Sequence, residues 1–113
     1  VQHGLVSMME HYLNKKISLE KIVQKMCHNP SCLFQIEKRG FIKEGFYADM
    51  VLIDVNKKWT VNKANLLYKC NWSPFENVTF KSQVTHTFIN GKLAYCNGKL
   101  VSKRYGSRLT FNR

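Results

Sequence analysis

The chain changes character within one segment, Lys38-Arg39-Gly40-Phe41-Ile42-Lys43-Glu44-Gly45-Phe46-Tyr47-Ala48-Asp49-Met50-Val51-Leu52-Ile53-Asp54. Two glycines punctuate a polar connection, and a run of four apolar residues then ends at Asp54. An apolar run of this length between turn residues predicts a strand that is buried on both faces. Helical spacing precedes the segment and hairpin signals follow it, so the segment joins two architectures.

Before this segment, apolar residues recur at helical spacing. Ser18 is a good N-cap for the second helix, and Pro30 suits the first position of a third helix that begins at Asn29. His28 is then expected to close the second helix. Three helices this short cannot close a core alone, so their apolar stripes need a partner surface. The stripes are Leu5, Met8, Met9, Tyr12 and Leu13, then Leu19, Ile22, Val23 and Met26.

After the segment, the strongest local signal is a hairpin. Residues 84–89 run into Asn90-Gly91, and residues 92–95 follow on the far side. Asn-Gly between two such segments predicts a two-residue turn, and Asn97-Gly98 repeats it before a third strand, Lys99–Val101. Trp59–Val61 predicts a further short strand. The predicted fold class is therefore α+β, a helical lead-in followed by a small antiparallel sheet.

The net charge of +11 raises the question of a nucleic-acid partner. The basic residues are spread along the chain without a run of five or six like charges, and lysine outnumbers arginine. This pattern favours an ordinary solvated surface, and we do not expect nucleic acid. The apolar runs fall short of the ~20 residues that span a bilayer, so no membrane partner is expected.

The four cysteines are Cys27, Cys32, Cys70 and Cys96. A structural zinc site usually shows two tight pairs, and only the first two cysteines lie close together. We interpret the cysteines as reduced, mostly buried thiols of a cytoplasmic protein.

The residues alone show no catalytic motif. The four histidines form neither a His-x-His pair nor a His-Glu-x-x-His motif, and no phosphate loop or dinucleotide fingerprint occurs. Asp49 and Asp54 flank the predicted buried strand and fit strand-end caps better than an acid–base pair. His11 is expected to face solvent, and His86 to lie on a half-exposed sheet. The role of His3 is left undecided, and a capping or packing role is favoured over a catalytic one.

Three segments resemble the amidohydrolase superfamily. Residues 45–54 are similar to its G-x-x-A-D segment, which continues into an apolar run and a second aspartate. His28-Asn29-Pro30-Ser31 with Phe34 resembles the N-P-A-x-x-F helix that precedes that segment. Residues 84–92 resemble a V-x-x-T strand that ends in G-K near the C-termini of these enzymes.

Further likenesses narrow the resemblance to the cyclic-amide hydrolases, which are the dihydroorotases, allantoinases and hydantoinases. Lys69 to Glu76, with Ser73-Pro74-Phe75 inside it, is similar to their K-x-x-x-S-P-F/Y segment. Residues 2–5 and 108–113 are most similar to bacterial dihydroorotases. The resemblance covers essentially the entire chain, and it departs at Asn77, where glycine is commoner, and in the high lysine content.

The resemblance implies the C-terminal part of a zinc-dependent hydrolase. Residues 1–40 would be the last helices of a TIM-type barrel, and residues 41–113 would be part of a composite β-sandwich. In this family the zinc ligands and the catalytic aspartate lie at the ends of barrel strands, where the metals generate the attacking hydroxide. None of those motifs is in this chain. By resemblance, only Val1, Gln2 and His3 would line the rim of the substrate pocket.

Three functions follow as hypotheses. The first is a fragment of a dihydroorotase-like enzyme, whose parent interconverts N-carbamoyl-aspartate and dihydroorotate in pyrimidine biosynthesis, or else of an allantoinase or hydantoinase type. The fragment alone is predicted to be inactive and to bind no zinc. The second is a basic β module that holds nucleic acid on Trp59, Trp72 and Phe75. The third is a structural paralogue without catalysis. Exposed apolar helix faces would promote association between copies of the chain, so a homo-oligomer is a further hypothesis.

Overall fold

The structure is a computed structural model that describes all residues from 1 to 113. It combines short helices with antiparallel strands, so the predicted α+β class is confirmed. The helical elements are α1 (Gly4–Leu13), α2 (Leu19–Val23), a π-helical turn (Gln24–His28), α3 (Asn29–Leu33) and a 3-10 turn (Lys63–Asn65). The strands are β1 (Met50–Asp54), β2 (Trp59–Thr60), β3 (Thr79–Phe80), β4 (Gln83–Ile89), β5 (Lys92–Cys96) and β6 (Lys99–Leu100).

The first helix covers the small sheet formed by β2 and β3. Val6 and Met9 of α1 are buried, and Val6 forms a core with Val61 and Phe80. The helical stripe that the sequence predicts contains Met9 but not Val6, whereas Leu5 and Met8 are only half-buried. Contact with the β2–β3 sheet therefore decides which face of α1 is buried.

The second and third helices form one continuous helical segment. The Ser18 hydroxyl accepts a hydrogen bond from the Lys21 N–H at 3.2 Å, which confirms the predicted N-cap. The α3 helix begins at Asn29 as predicted, but a π-helical turn joins it to α2 because the Asn29 N–H bonds back to the Gln24 carbonyl. Such a widened turn accommodates Pro30, which lacks an N–H.

His28 therefore does not close a helix, and that expectation is wrong. It lies inside the continuous helical segment, and its ring stacks on Phe41 at a centroid distance of 4.2 Å with 7° between the planes. His11 is exposed and His86 half-buried, as expected.

The larger sheet has the strand order β1-β4-β5-β6, and every pairing is antiparallel. Asn90-Gly91 joins β4 to β5 with φ of 51° and 76°, and Asn97-Gly98 joins β5 to β6 with φ of 45° and 87°. Positive φ at both positions is typical of a type I′ turn, the kind that joins two strands through two residues. The two hairpins are confirmed.

The predicted strand over residues 50–53 is confirmed as β1, but the prediction that it is buried on both faces is wrong. Met50, Val51 and Leu52 are 36%, 43% and 52% exposed. Since β1 is an edge strand that pairs only with β4, and the helices pack on one another and on β3, no helix packs broadly against β1. An exposed apolar edge strand is a surface on which another protein segment can pack or pair.

Two further expectations about burial fail. Ile22, expected to be exposed with the helical stripes, is buried, whereas Leu19 and Met26 are exposed. The thiols are free, but they are not mostly buried: Cys27, Cys32 and Cys70 are exposed and Cys96 is half-buried.

None of the helices has the length and apolar character to cross a bilayer.

Candidate functional site

His3 lies in a cluster of aromatic rings between α1 and the β2–β3 sheet. Its side chain is only 4% exposed. The imidazole Nδ1 lies 3.2 Å from the Ser73 hydroxyl, which itself accepts a hydrogen bond from the Phe75 N–H at 3.1 Å. Four rings surround it at centroid distances of 5.8–6.2 Å, those of Trp59, Tyr68, Phe75 and Phe80.

This environment disfavours the protonated form of the histidine. Burial lowers the pKa of His3 below its ordinary value. The imidazole Nε2 is buried without a hydrogen-bond partner. Ser73 is also buried, so no substrate atom reaches its hydroxyl. The His3–Ser73 pair therefore joins two parts of the chain and is not a nucleophile with its base.

Gln2 is fixed to the same part of the chain. Its amide nitrogen donates to the Asn65 carbonyl at 2.8 Å, and its amide oxygen accepts from the Leu67 N–H at 2.9 Å. Val1 is fully exposed. Of the three residues predicted to form a pocket rim, two therefore turn their side chains toward residues 59–80, and only Val1 projects freely. The rim role itself stays a prediction.

A second polar cluster connects the helical part to the hairpin. The Arg39 guanidinium forms an ion pair with the Asp49 carboxylate and also donates to the Asn90 side-chain oxygen at 2.9 Å and to Ser107 at 3.0 Å. The Asp49 carboxylate accepts from the Asn90 N–H at 2.8 Å. Asp54 accepts from the Asn56 N–H at 2.9 Å. Both aspartates thus stabilise strand ends, as the sequence indicates, and they form no acid–base pair.

Two contacts are not predictable from the sequence pattern alone, that of Ser73 with His3 and those of Arg39. For Ser73, the Ser-Pro-Phe segment is the one sequence feature that points to the residue. Arg39 carried no signal, because its partners lie 10, 51 and 68 positions away along the chain.

The side chains of this chain do not fit a metal site. No group of three or more histidine, cysteine, aspartate or glutamate side chains lies close enough together to hold an ion. His3 is enclosed by rings, and Asp49 is engaged by Arg39 and Asn90.

Comparison with known proteins identifies the family. A model of the amidohydrolase family matches residues 3–94, and the chain therefore belongs to the amidohydrolase family. The chain is 32% identical over 105 residues to a dihydroorotase of Pyrococcus horikoshii, covering 92% of this chain and 25% of that protein. It is 33% identical over 109 residues to an allantoinase of Desulfitobacterium hafniense, covering 96% of this chain and 24% of that protein.

Solved structures agree with this family. The fold is similar to that of L-hydantoinase from Arthrobacter aurescens, with a TM-score of 0.81 and 25% identity over 91% of this chain and 24% of that one. The chain spans about a quarter of the length of the relatives that it matches.

Proposed function

We propose that this chain is the C-terminal portion of a dihydroorotase-like hydrolase that opens and closes a cyclic amide in pyrimidine biosynthesis. The observation that carries the proposal is the identity with dihydroorotases along nearly the whole chain, 32% over 105 residues for one of them and 37% over 93 residues for a second, from Pyrococcus furiosus. In this proposal the parent protein acts in the cytoplasm, where the free thiols would stay reduced.

The uncovered surfaces support a division of the chain into two parts. Residues 1–40 would be the last helices of a TIM-type barrel, and Leu19, Val23 and Met26 are exposed on them. Residues 41–113 would be part of a composite β-sandwich, in which further strands cover β1. Exposed apolar residues on both parts are consistent with contact to a larger protein.

The chemistry would lie outside this chain. Zinc held by barrel residues would supply the hydroxide that attacks the ring amide. This chain would contribute the rim of the substrate pocket through Val1, Gln2 and His3. No residue of the chain is assigned a catalytic role, and the isolated chain is proposed to hydrolyse nothing.

A matched pair of proteins tests the proposal. The gene region encoding this chain is expressed alone and together with the coding sequence immediately upstream of it, and both products are assayed with dihydroorotate and N-carbamoyl-aspartate. We expect turnover only from the longer protein and its loss after chelation of metal. Failure of the longer protein to convert any cyclic amide would refute the proposal.

An allantoinase or hydantoinase activity is the second candidate. It is favoured by the allantoinase match over 96% of the chain and by the likeness to L-hydantoinase. The same assay, repeated with allantoin and hydantoin, distinguishes the two candidates by the ratio of kcat/KM values.

A further inference from the structure

The segment that enters α1 is attached to residues 59–80 by side chains rather than by strand pairing. Gln2 supplies both a donor and an acceptor to the backbone of Asn65 and Leu67. The adjacent His3 fills the ring cluster and contacts Ser73. Consecutive residues are thus held by two separate stretches, 65–67 and 73–75.

The receiving backbone is itself held by further hydrogen bonds. Asn65 belongs to the 3-10 turn, and its side chain donates to the Thr60 carbonyl at 2.8 Å and accepts from the Asn62 N–H at 3.0 Å. Reciprocal side-chain bonds between Asn62 and the turn form a capping box. A carbonyl held in this way is a fixed partner for the Gln2 amide.

These contacts turn the Gln2 and His3 side chains away from any pocket that Val1–His3 would border. The rim would then consist of the Val1 side chain and the backbone of the next two residues. The Gln2 amide holds that backbone through two bonds at once, since a primary amide donates to one carbonyl and accepts from one N–H.

We propose that Gln2 is a positioning residue, whose amide sets the place of the substrate-pocket rim by fixing it to the backbone of residues 65–67. This inference rests on the proposed function. Gln2 touches no substrate in it. A displacement of the rim changes how well the ring substrate is held, so the effect appears in KM before it appears in kcat.

The test uses the longer protein with Gln2→Glu and Gln2→Met. Glutamate keeps the acceptor for the Leu67 N–H but faces the Asn65 carbonyl with a second oxygen, and methionine keeps the length but removes both bonds. We expect KM for the ring substrate to rise about tenfold in both variants, with kcat within about twofold of the unsubstituted protein. Hydrogen exchange at the Leu67 amide should accelerate in Gln2→Met only.

Gln24→Glu and Gln24→Met are the matched controls, because Gln24 lies exposed on a helix and its side chain bonds only to Lys21 Nζ at 2.9 Å. They should leave KM unchanged. A merely structural role for Gln2 would lower kcat through a smaller folded fraction and leave KM unchanged, and that outcome would overturn the inference alone. If the unsubstituted longer protein converts no cyclic amide, the proposed function fails, and this inference with it.

Discussion

Arg39 and Asp49 form an ion pair that joins the end of the helical part to the start of the larger sheet. The guanidinium also lies over the Tyr47 ring, 4.2 Å from its centroid. The second carboxylate oxygen of Asp49 accepts the Asn90 N–H of the β4–β5 turn. One short connection, residues 39–49, is thereby tied to the hairpin that follows much later in the chain.

Removing this carboxylate should destabilise the chain. We expect Asp49→Ala to lower the free energy of unfolding by about 2 kcal/mol, because it leaves Arg39 unpaired and takes away the acceptor of the Asn90 N–H. Urea denaturation measures the change. Asp54→Ala is the control, since that carboxylate accepts only the Asn56 N–H, and it should cost less than about 1 kcal/mol. Equal losses would contradict the role given to Asp49.

Gly40 is required for two separate reasons. Its φ is +81°, and a Cβ there would lie 2.4 Å from the Ser31 Cβ and 2.8 Å from the Cys27 carbonyl oxygen. Gly45 has a similar φ of +79°, with open space around it. We expect Gly45→Ala to cost about 1 kcal/mol, from the left-handed backbone alone. Gly40→Ala should cost about 3 kcal/mol, because the overlap adds to the backbone cost.

The difference between these two alanine variants isolates the steric overlap. Thermal or urea denaturation of both provides it. Indistinguishable stabilities would mean that α3 and the residue 40 connection do not approach as closely as the structure places them.

Protonation of His3 should destabilise the fold. Because burial lowers its pKa in the folded state, the unfolded chain binds the proton more readily. The stability contribution is therefore complete above pH 6.5, the ordinary value, and is lost as the pH falls below it. The urea midpoint of the unsubstituted chain should fall as the pH is lowered from about 8 to about 5.

Two variants test whether the pH dependence of stability comes from His3. His3→Gln removes the titrating group and should flatten the dependence. His11→Gln changes an exposed histidine and should retain it. A slope that persists in His3→Gln would place the titration elsewhere.

The two Asn-Gly turns should differ in their sensitivity to substitution. Asn90 donates to the Tyr105 carbonyl at 2.7 Å and accepts from Arg39, whereas the side chain of Asn97 has only a 3.6 Å contact with the Cys96 sulfur. Asn90→Ala should therefore cost about 1–2 kcal/mol more than Asn97→Ala, beyond the backbone cost that both share. A comparison of their denaturation midpoints checks this. Equal midpoints would contradict it.

The sequence predicted elements with local causes. Asn90-Gly91 and Asn97-Gly98 adopt positive φ and define their hairpins, and the Ser18 hydroxyl caps α2 by accepting from the Lys21 N–H, three residues ahead. Each signal depends on neighbours in the chain, so it can be read without knowledge of the tertiary structure.

Predictions from the sequence were wrong where the burial of a residue depends on partners far away in the chain. An apolar run such as Met50–Ile53 indicates a preference for burial, but whether another layer covers it depends on residues elsewhere. Val6 was missed because α1 packs on Val61 and Phe80 rather than along its most apolar stripe. The sequence does not decide the role of His3. The aromatic rings that enclose its side chain show that it is a packing group.

The central claim is that the catalytic groups lie outside these residues and that the uncovered faces of this chain pack against the part that holds them. The most direct measurement is turnover of dihydroorotate by the isolated chain, with zinc supplied, beside the longer protein under the same conditions. We expect turnover by the longer protein only. Metal-dependent turnover by the isolated chain would contradict it.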